Sequence, residues 1–221
     1  MERLQILKST IKMPLMRLPV NSVIVRTQKG AILFSPGSKL DREVLSQVGP
    51  ITDIVAPNLF HSAGVPKAAS LFPNAKLWCA PGLQKKRSDI RWNNELNPSI
   101  WPHQNELPIL LMEGAPQVNE VVAFDSQSKT LIVADLCFHI QDAKGWGAAL
   151  ILGLFGTHNR FAVSRLQMLL MKNKVAFEKS FTQLIKWDFE KIIMSHGSPV
   201  ERNGKEALLE AFHERGVHIN S

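Results

Sequence analysis

Residues Ile51 to Gly64 read ITDIVAPNLFHSAG and place a histidine between a strand and a helix. Asp53–Ala56 is an apolar, partly β-branched run that Pro57 ends, which predicts a short buried strand. Ser62–Phe72 has small and apolar residues at helical spacing, with Ser62 as the expected N-cap. His61 therefore lies in the loop after a strand, where α/β proteins carry functional side chains. A single loop histidine is, however, more often solvated or a cap.

Two further buried strands are followed directly by a potential metal ligand. Thr130–Ala134 precedes Asp135, and Ile192–Met194 precedes Ser195 and His196. Together with His61 these residues give two imidazoles and one carboxylate, a ligand set that suits catalytic zinc and also iron. Alternatively, Asp135 caps the next turn and His196 is a turn residue bonded to the backbone. The shared position of all three residues after buried strands favours the metal site.

Composition predicts an ordinary globular protein with one domain over residues 1–221. Hydrophobic residues make up 45% and mean hydropathy is −0.03. No apolar run reaches the length of about 18 residues that a membrane span requires, and the N-terminus lacks the features of a secretory signal. Cys79 and Cys137 each lie in an apolar segment, which predicts buried, reduced thiols and a cytoplasmic location.

The chain is basic, with 26 Lys and Arg against 19 Asp and Glu. The densest cluster comprises Lys85, Lys86, Arg87 and Arg91, beside Trp92. It lacks the repeated basic and aromatic pattern of a single-strand binding surface. We therefore expect a solvated face rather than a nucleic-acid partner, with an anionic substrate as a further alternative.

The remaining chain alternates predicted strands and helices. The predicted strands cover 3–7, 13–18, 21–27, 31–35, 75–80, 107–112, 119–125 and 189–195. The predicted helices cover 40–48, 161–172, 177–187 and 205–215. Lys144–Gly156, KGWGAALILGLFG, is almost wholly apolar and bracketed by glycines, and it is expected to form a buried core helix. The alternatives for that segment are a subunit contact, giving a homo-oligomer, or a lid over the site.

The order of elements and four motifs resemble the metallo-β-lactamase fold. The motifs are AILFSPG, DIVAPNLFHSAG, TLIVADLCF and FEKIIMSHG, and the resemblance runs from about residue 20 to residue 215. It implies an α/β (α+β) protein built as a four-layer αββα sandwich, with a metal site at one edge of the two sheets. Within the superfamily, APNLFH and KWDFEKIIMSHG are similar to a bacterial branch of unknown function.

The resemblance implies a metal site with only part of the family's ligand set. The H-x-H-x-D-H motif falls on 56–61, where Ala56, Asn58 and Phe60 replace the first two histidines and the aspartate. The loop 113–116 has no histidine either, so the first metal's ligands are missing. Three of the second metal's four ligands remain as His61, Asp135 and His196. We expect one divalent ion, with zinc favoured over iron, and the absence of any metal is the alternative.

One metal ion implies metal-assisted hydrolysis, with Asp135 as the catalytic residue that takes the proton of the attacking water. Phosphodiesters usually require two ions, so a small ester, thioester or lactone is the expected substrate. Asn58, Glu113 and His139 are candidate supplementary site residues, and His139 is equally explained as a surface side chain. The alternative function is a metal-free binding or interaction module with the same fold.

Overall fold

The computed structural model describes residues 2–39, 42–46 and 48–218. Its first three strands form a continuous antiparallel ribbon, β1 (Leu4–Met13), β2 (Met16–Thr27) and β3 (Gly30–Phe34). The predicted strand over 13–18 is therefore wrong, because Pro14 and Leu15 form the tight turn between β1 and β2. Leu15 has a φ of 68° there. The predicted strands over 21–27 and 31–35 are confirmed, and they pair with each other as a hairpin.

The ribbon belongs to a six-stranded sheet whose order follows the chain, β1 to β6. The added strands β4 (Ile51–Ala56), β5 (Lys76–Cys79) and β6 (Asn94–Glu95) are all parallel to their neighbours. Residues of β4 alternate between the two faces of this sheet, with Ile54 and Ala56 on one and Val55 on the other. Both faces are covered, which explains why the run is apolar throughout.

The second sheet has four strands in the order β12-β9-β8-β7. They are β7 (Ile109–Leu111), β8 (Val121–Asp125), β9 (Thr130–Val133) and β12 (Lys191–Met194). β12 is parallel to β9, so both strands deliver their following residues to the same edge. A separate small pair joins β10 (Phe138–His139) to β11 (Phe161–Ala162).

Helices cover the outer faces of both sheets, which gives four layers. The helices are α1 (Arg42–Ser46), α2 (Val65–Leu71), α3 (Leu83–Lys86), α4 (Ala148–Phe155), α5 (Arg165–Leu170), α6 (Lys174–Leu184) and α7 (Gly204–His213). The outer core of the first sheet includes Leu45, Val65 and Leu83 from α1 to α3. The outer core of the second sheet includes Phe177 and Phe212 from α6 and α7. A third core joins the facing sides of the sheets, so the expected αββα sandwich is confirmed.

Three predicted helices differ from the structure at their N-termini by three or four residues. The helix predicted over 177–187 is α6, which begins at Lys174 after the cap Asn173. α2 begins at Val65 with Gly64 as its cap, and Ser62 is not the N-cap because its hydroxyl accepts a hydrogen bond from Arg87 Nη1 instead. The helix predicted from Phe161 begins at Arg165, because Phe161 and Ala162 pair with β10 and Ser164 caps the helix. Leu40, Asp41 and Gln47 of the first predicted helix lie outside the described residues.

The expectation of a buried core helix over 144–156 is wrong. α4 buries Ala148 and Leu152, whereas Leu150, Leu154 and the preceding Trp146 are exposed. The helix lies on the surface beside the turn between β1 and β2, where Gly147 N–H donates to the Leu15 carbonyl oxygen. No helix among the described residues is both long and apolar enough to span a bilayer.

The two cysteines are buried and unpaired, as expected. Burial and the nearby Glu95 carboxylate raise the pKa of the Cys79 thiol to about 12. Burial also raises the pKa of Cys137 well above its usual range. Neither thiol is therefore available as a nucleophile at neutral pH.

Candidate metal centre

His61 is fixed by the turn that follows β4. The Asn58 side chain accepts hydrogen bonds from the backbone N–H groups of Phe60 and His61, at 2.9 and 3.0 Å. This Asx turn reverses the chain immediately after the strand. The imidazole then lies with Nε2 3.2 Å from Asp135 Oδ2 and Nδ1 2.6 Å from Ser35 Oγ.

Asp135 is held by a buried carboxylate behind it. Glu120 accepts hydrogen bonds from the backbone N–H groups of Ala134, Asp135 and Leu136, at 2.8, 2.8 and 3.1 Å. These bonds fix the loop after β9. Asn58 Nδ2 donates to Asp135 Oδ2 at 2.7 Å and orients the carboxylate itself.

His196 completes the group from the end of β12. Met194 pairs with Val133 across the parallel strands, so His196 emerges beside Asp135. Its Nε2 lies 3.5 Å from Asp135 Oδ1, and its Nδ1 lies 3.0 Å from the Pro19 carbonyl oxygen. Because a carbonyl oxygen only accepts, Nδ1 carries the proton and Nε2 presents its lone pair to the site.

These three residues meet the geometric requirements of a metal site. One ligand atom from each of His61, Asp135 and His196 lies within 4.8 Å of the others. His61 Nε2 lies 3.2 Å from one oxygen of the Asp135 carboxylate, and His196 Nε2 lies 3.5 Å from the other. The second nitrogen of each ring has an oxygen partner, as is usual for metal-binding histidines. The donor set fits a divalent ion.

The site concentrates negative charge at Asp135. Burial raises the pKa of this carboxyl, but the neighbouring His61 and His196 rings and the Asn58 amide outweigh burial and hold the pKa well below its usual range. Burial and the Asp135 charge raise the pKa of Glu120 to about 7, against the effect of its backbone donors. An ionised carboxylate between two imidazoles is the arrangement that attracts a cation.

The pKa values of the two histidines are shifted in opposite directions. Burial lowers the pKa of His61, but the charge of Asp135 and its hydrogen bond raise the pKa to a net value above the usual range. Burial lowers the pKa of His196, and the nearby His61 ring lowers it further. The protonated form is therefore favoured at His61 and disfavoured at His196.

The three residues lie in the wall of a cleft of about 360 Å³. Apolar side chains from the ribbon, the loops and α5 form most of its lining. They are Ile11, Met13, Leu18, Val20, Phe60, Ala63, Val118, Phe138, Leu166 and Leu170. The cleft therefore offers a polar centre within a largely apolar wall.

The structure brings Asn58 to the centre but not the other two supplementary candidates. Glu113 has an exposed side chain, and His139 has its Nδ1 3.1 Å from the Ser198 carbonyl oxygen. Neither residue is among the described residues that line the cleft. His139 meets the centre only through its backbone, whose N–H donates to the His196 carbonyl oxygen at 3.2 Å, while its ring is bonded to Ser198 instead.

Sequence reasoning missed Ser35 and Glu120. Ser35 follows β3 with a φ of 50° and joins His61 to Ser195, whose hydroxyl donates to Ser35 Oγ at 3.0 Å. A serine before Pro36-Gly37 is an ordinary turn signal and gave no indication of this contact. Glu120 directly precedes the buried strand β8. A charged residue beside a buried strand is the feature of the sequence that could have indicated a role for Glu120.

Comparison with known proteins identifies the fold. No protein-family model matches the sequence, and no curated protein matches it either. The structure is similar to a metallo-beta-lactamase from Pontibacter korlensis, with a TM-score of 0.66 and 14% identity over 96% of each chain. It is also similar to the metallo-beta-lactamase FIM-1 from Pseudomonas aeruginosa in its mono-zinc form. That match has a TM-score of 0.66 and 12% identity over 98% of this chain and 93% of the other.

A third neighbour is a flavodiiron core rather than a lactamase. It is a metal-soaked flavodiiron core from Synechocystis, with a TM-score of 0.64 and 16% identity over 96% of this chain and 58% of that chain. All three likenesses extend over nearly the whole of this chain. The chain has the metallo-β-lactamase fold, as the sequence motifs predicted.

Proposed function

We propose that this protein is a hydrolase that uses one divalent metal ion, held by His61, Asp135 and His196. The observation that carries the proposal is the convergence of these three side chains, from the ends of three different strands, within 4.8 Å in the wall of one cleft. Residues that are about 60 to 135 positions apart in the chain meet there with their metal-binding atoms facing one another.

Two neighbours support the choice of ion. FIM-1 is described in a mono-zinc form, and the Synechocystis core is described as flavodiiron and metal-soaked. Two imidazoles and one carboxylate suit zinc and iron alike. Zinc is our first choice, because the site needs only three protein ligands and an open position for water.

Each residue has a defined part in the proposed reaction. Bound here, the ion would lower the pKa of a water ligand and polarise the scissile carbonyl. Asp135 would accept the proton of the attacking water, and Asn58 holds the carboxylate in position for it. The Pro19 carbonyl oxygen and Ser35 Oγ keep the two imidazoles turned towards the centre.

The cleft favours an uncharged acyl substrate. Apolar side chains surround the polar centre, and a charged phosphodiester usually requires two metal ions, whereas only the ligands of one are retained here. Ester, thioester and lactone carbonyls do not have that requirement. We therefore propose a small molecule with one of these groups and an apolar substituent.

The experiment is metal analysis of protein purified without chelator. We expect close to one zinc or iron ion per chain, and loss of it from His61→Ala/His196→Ala. The matched control is His139→Ala, which removes an imidazole that does not line the cleft and should keep the ion. Ester and thioester hydrolysis should be lost with the metal and restored by adding zinc to the wild type after chelation.

A metal-free binding module is the second candidate, and one feature favours it. Without an ion, Asp135 Oδ2 is already bonded to His61 and Asn58, so these polar groups satisfy one another. If the protein takes up no zinc on soaking and its stability does not change, the hydrolase proposal fails and the binding module remains. We also propose a cytoplasmic location, which the two buried, unpaired thiols favour.

A further inference from the structure

The surface beside the cleft carries a row of exposed apolar side chains on α4. Trp146, Leu150 and Leu154 are 81%, 74% and 68% exposed. Leu150 and Leu154 are four residues apart and therefore lie on one side of α4, and Trp146 is in the turn that precedes the helix. Soluble proteins seldom expose large apolar residues in a contiguous group without a partner.

The turn between β1 and β2 extends this row. Ile11, Met13 and Leu15 are all exposed. Leu15 is next to the start of α4. A Cβ added to Gly145 would lie 2.5 Å from the Leu15 carbonyl oxygen, and one added to Gly147 would lie 2.7 Å from the Leu15 Cβ. The apolar surface is therefore continuous from the turn to the helix.

α5 adds the third part of the same face. Leu166 and Leu169 are exposed, and Arg165 Nη1 donates to the Leu154 carbonyl oxygen at 3.0 Å, which joins α5 to the C-terminal end of α4. We use the name docking face for these eight residues, which are Ile11, Met13, Leu15, Trp146, Leu150, Leu154, Leu166 and Leu169.

The charges around the docking face are positive. Exposed cations lie within three positions of these residues in the chain, at Lys12, Arg17, Lys144, Arg165 and Lys172. Arg17 and Lys144 are adjacent, since their backbones exchange two hydrogen bonds. The sequence has no acidic residue between Glu2 and Asp41 or between Asp142 and Glu178, the two segments that supply the whole face.

The cleft opens onto the docking face. Ile11, Met13 and Leu166 belong to the face and also line the cleft that holds His61, Asp135 and His196. A molecule could therefore move from the docking face to the polar centre along an apolar path.

We propose that the docking face binds the surface of an anionic lipid bilayer, so that the cleft opens towards the acyl chains. A surface helix with a tryptophan and leucines on one side and cations at its margin is typical of proteins that lie in the membrane interface. The flanking lysines and arginines are attracted to anionic headgroups. A second copy of the chain is a poorer occupant, because a symmetric contact would place this basic face against itself. The proposal concerns binding and does not depend on hydrolysis.

Vesicle sedimentation tests the proposal. Wild-type protein should sediment with vesicles of phosphatidylcholine and phosphatidylglycerol, less with phosphatidylcholine alone, and less again as salt rises. Leu150→Asp/Leu154→Asp should weaken binding at least about tenfold, because two charges replace the side chains that enter the interface. Both positions are exposed, so the variant should fold, which circular dichroism and the melting temperature check.

The control variant is Ile100→Asp, which adds a charge at another exposed apolar residue. Ile100 is 53% exposed and lies near Pro102, whose carbonyl oxygen accepts from Lys29 Nζ at 3.0 Å. Lys29 is in the turn at the other end of β2, far from Leu15. Ile100→Asp should bind vesicles like the wild type, and so should protein stripped of metal by a chelator.

Two results would overturn the proposal. Wild-type protein that stays in solution with anionic vesicles would refute a bilayer as the occupant. A wild-type dimer that Leu150→Asp/Leu154→Asp converts to a monomer, without vesicle binding by either protein, would assign the docking face to a second copy of the chain. Light scattering on a sizing column measures that difference. Binding by metal-free protein would leave the docking proposal intact even if no hydrolysis is found.

Discussion

His61 is held at both ring nitrogens, by contacts from distant parts of the chain. Nε2 faces Asp135, and Nδ1 lies 2.6 Å from Ser35 Oγ. An imidazole that binds a metal through Nε2 carries its proton on Nδ1, and the partner of that proton sets the orientation of the ring. Ser35 is therefore a positioning residue for the proposed metal site.

Ser35→Ala tests that role. Without its hydroxyl partner, the ring should turn more freely, and zinc affinity should fall about 10- to 100-fold. Competition with a chromophoric chelator measures the affinity. Ser38→Ala is the matched control, because Ser38 lines the same cleft without a bond to His61, and it should leave zinc affinity unchanged. Equal zinc affinities of the wild type and Ser35→Ala would show that Ser35 does not position His61 for metal binding.

The three proposed ligands could be predicted at the residue scale because each lies within five residues of the end of an apolar run. Their partners could not. Pro19 meets His196 across 177 positions of the chain, and its contribution is a backbone carbonyl oxygen that every residue type has. Glu120 accepts hydrogen bonds from three backbone N–H groups of the loop after β9. Such contacts depend on how the strands are placed beside one another, which local patterns do not encode.

The start of α2 is packed against the loop after β3. An added Cβ on Gly64 would lie 2.1 Å from the Pro36 carbonyl oxygen and 2.4 Å from that of Gly37, both in the backbone that lines the cleft. The absence of a side chain at Gly64 thus lets the His61 loop and the Ser35 turn approach each other. Packing, and not backbone conformation, requires glycine here, since the φ of Gly64 is −88°.

Gly64→Ala should therefore destabilise the protein by about 1–3 kcal/mol, because backbone must move to admit the methyl group. Zinc affinity should fall with it, since both walls of the centre shift. Gly153→Ala is the control within α4, where an added Cβ meets nothing within 4 Å, and it should stabilise the protein by up to about 1 kcal/mol. Urea unfolding measures both changes. Equal stability of Gly64→Ala and the wild type would show that the contact is not tight.

Strands with both faces buried were predicted correctly. Prediction failed for α4, where tertiary contacts determine which residues are buried. β4, β9 and β12 are short apolar runs between two covered faces, and their sequences indicate this directly. α4 has almost the same composition as a core helix, but it packs by only one side beside Leu15 and leaves Leu150 exposed. Composition alone cannot distinguish these two environments, because the difference lies in which neighbours the fold supplies.

At the scale of the whole molecule, the four-layer architecture was predicted from the order of elements and the motifs. The two sheets share one core between them, to which Val55 of β4 and Ile132 of β9 both belong. This facing arrangement brings the ends of strands from both sheets to one edge, where the proposed metal site lies. The site is therefore a consequence of the sandwich, and its integrity depends on the stability of the whole fold.

A buried polar cluster in the first sheet links that global stability to pH. Asp53 of β4 accepts a hydrogen bond from Trp78 Nε1 at 2.7 Å and another from Thr52 Oγ1 at 2.8 Å, and its Oδ2 lies 3.0 Å from His103 Nε2. Burial raises the pKa of Asp53, but the hydrogen bonds to His103, Thr52 and Trp78 outweigh burial and bring it below the ordinary value of 3.8. The native state thus binds a proton at Asp53 less readily than the unfolded chain does.

Asp53 should therefore stabilise the native state fully above about pH 4 and lose this contribution as pH falls below 3.8. Asp53→Asn removes the ionisable group and the charged acceptor, so the free energy of unfolding should fall by about 1–3 kcal/mol at neutral pH. It should also depend less steeply on pH between about 4 and 2. Urea unfolding across this range measures both effects.

The control Asp188→Asn, at a carboxylate that is 78% exposed, should change stability by less than about 0.5 kcal/mol. If Asp53→Asn and the wild type lose stability in parallel on acidification, the acid sensitivity of the fold arises at other carboxylates.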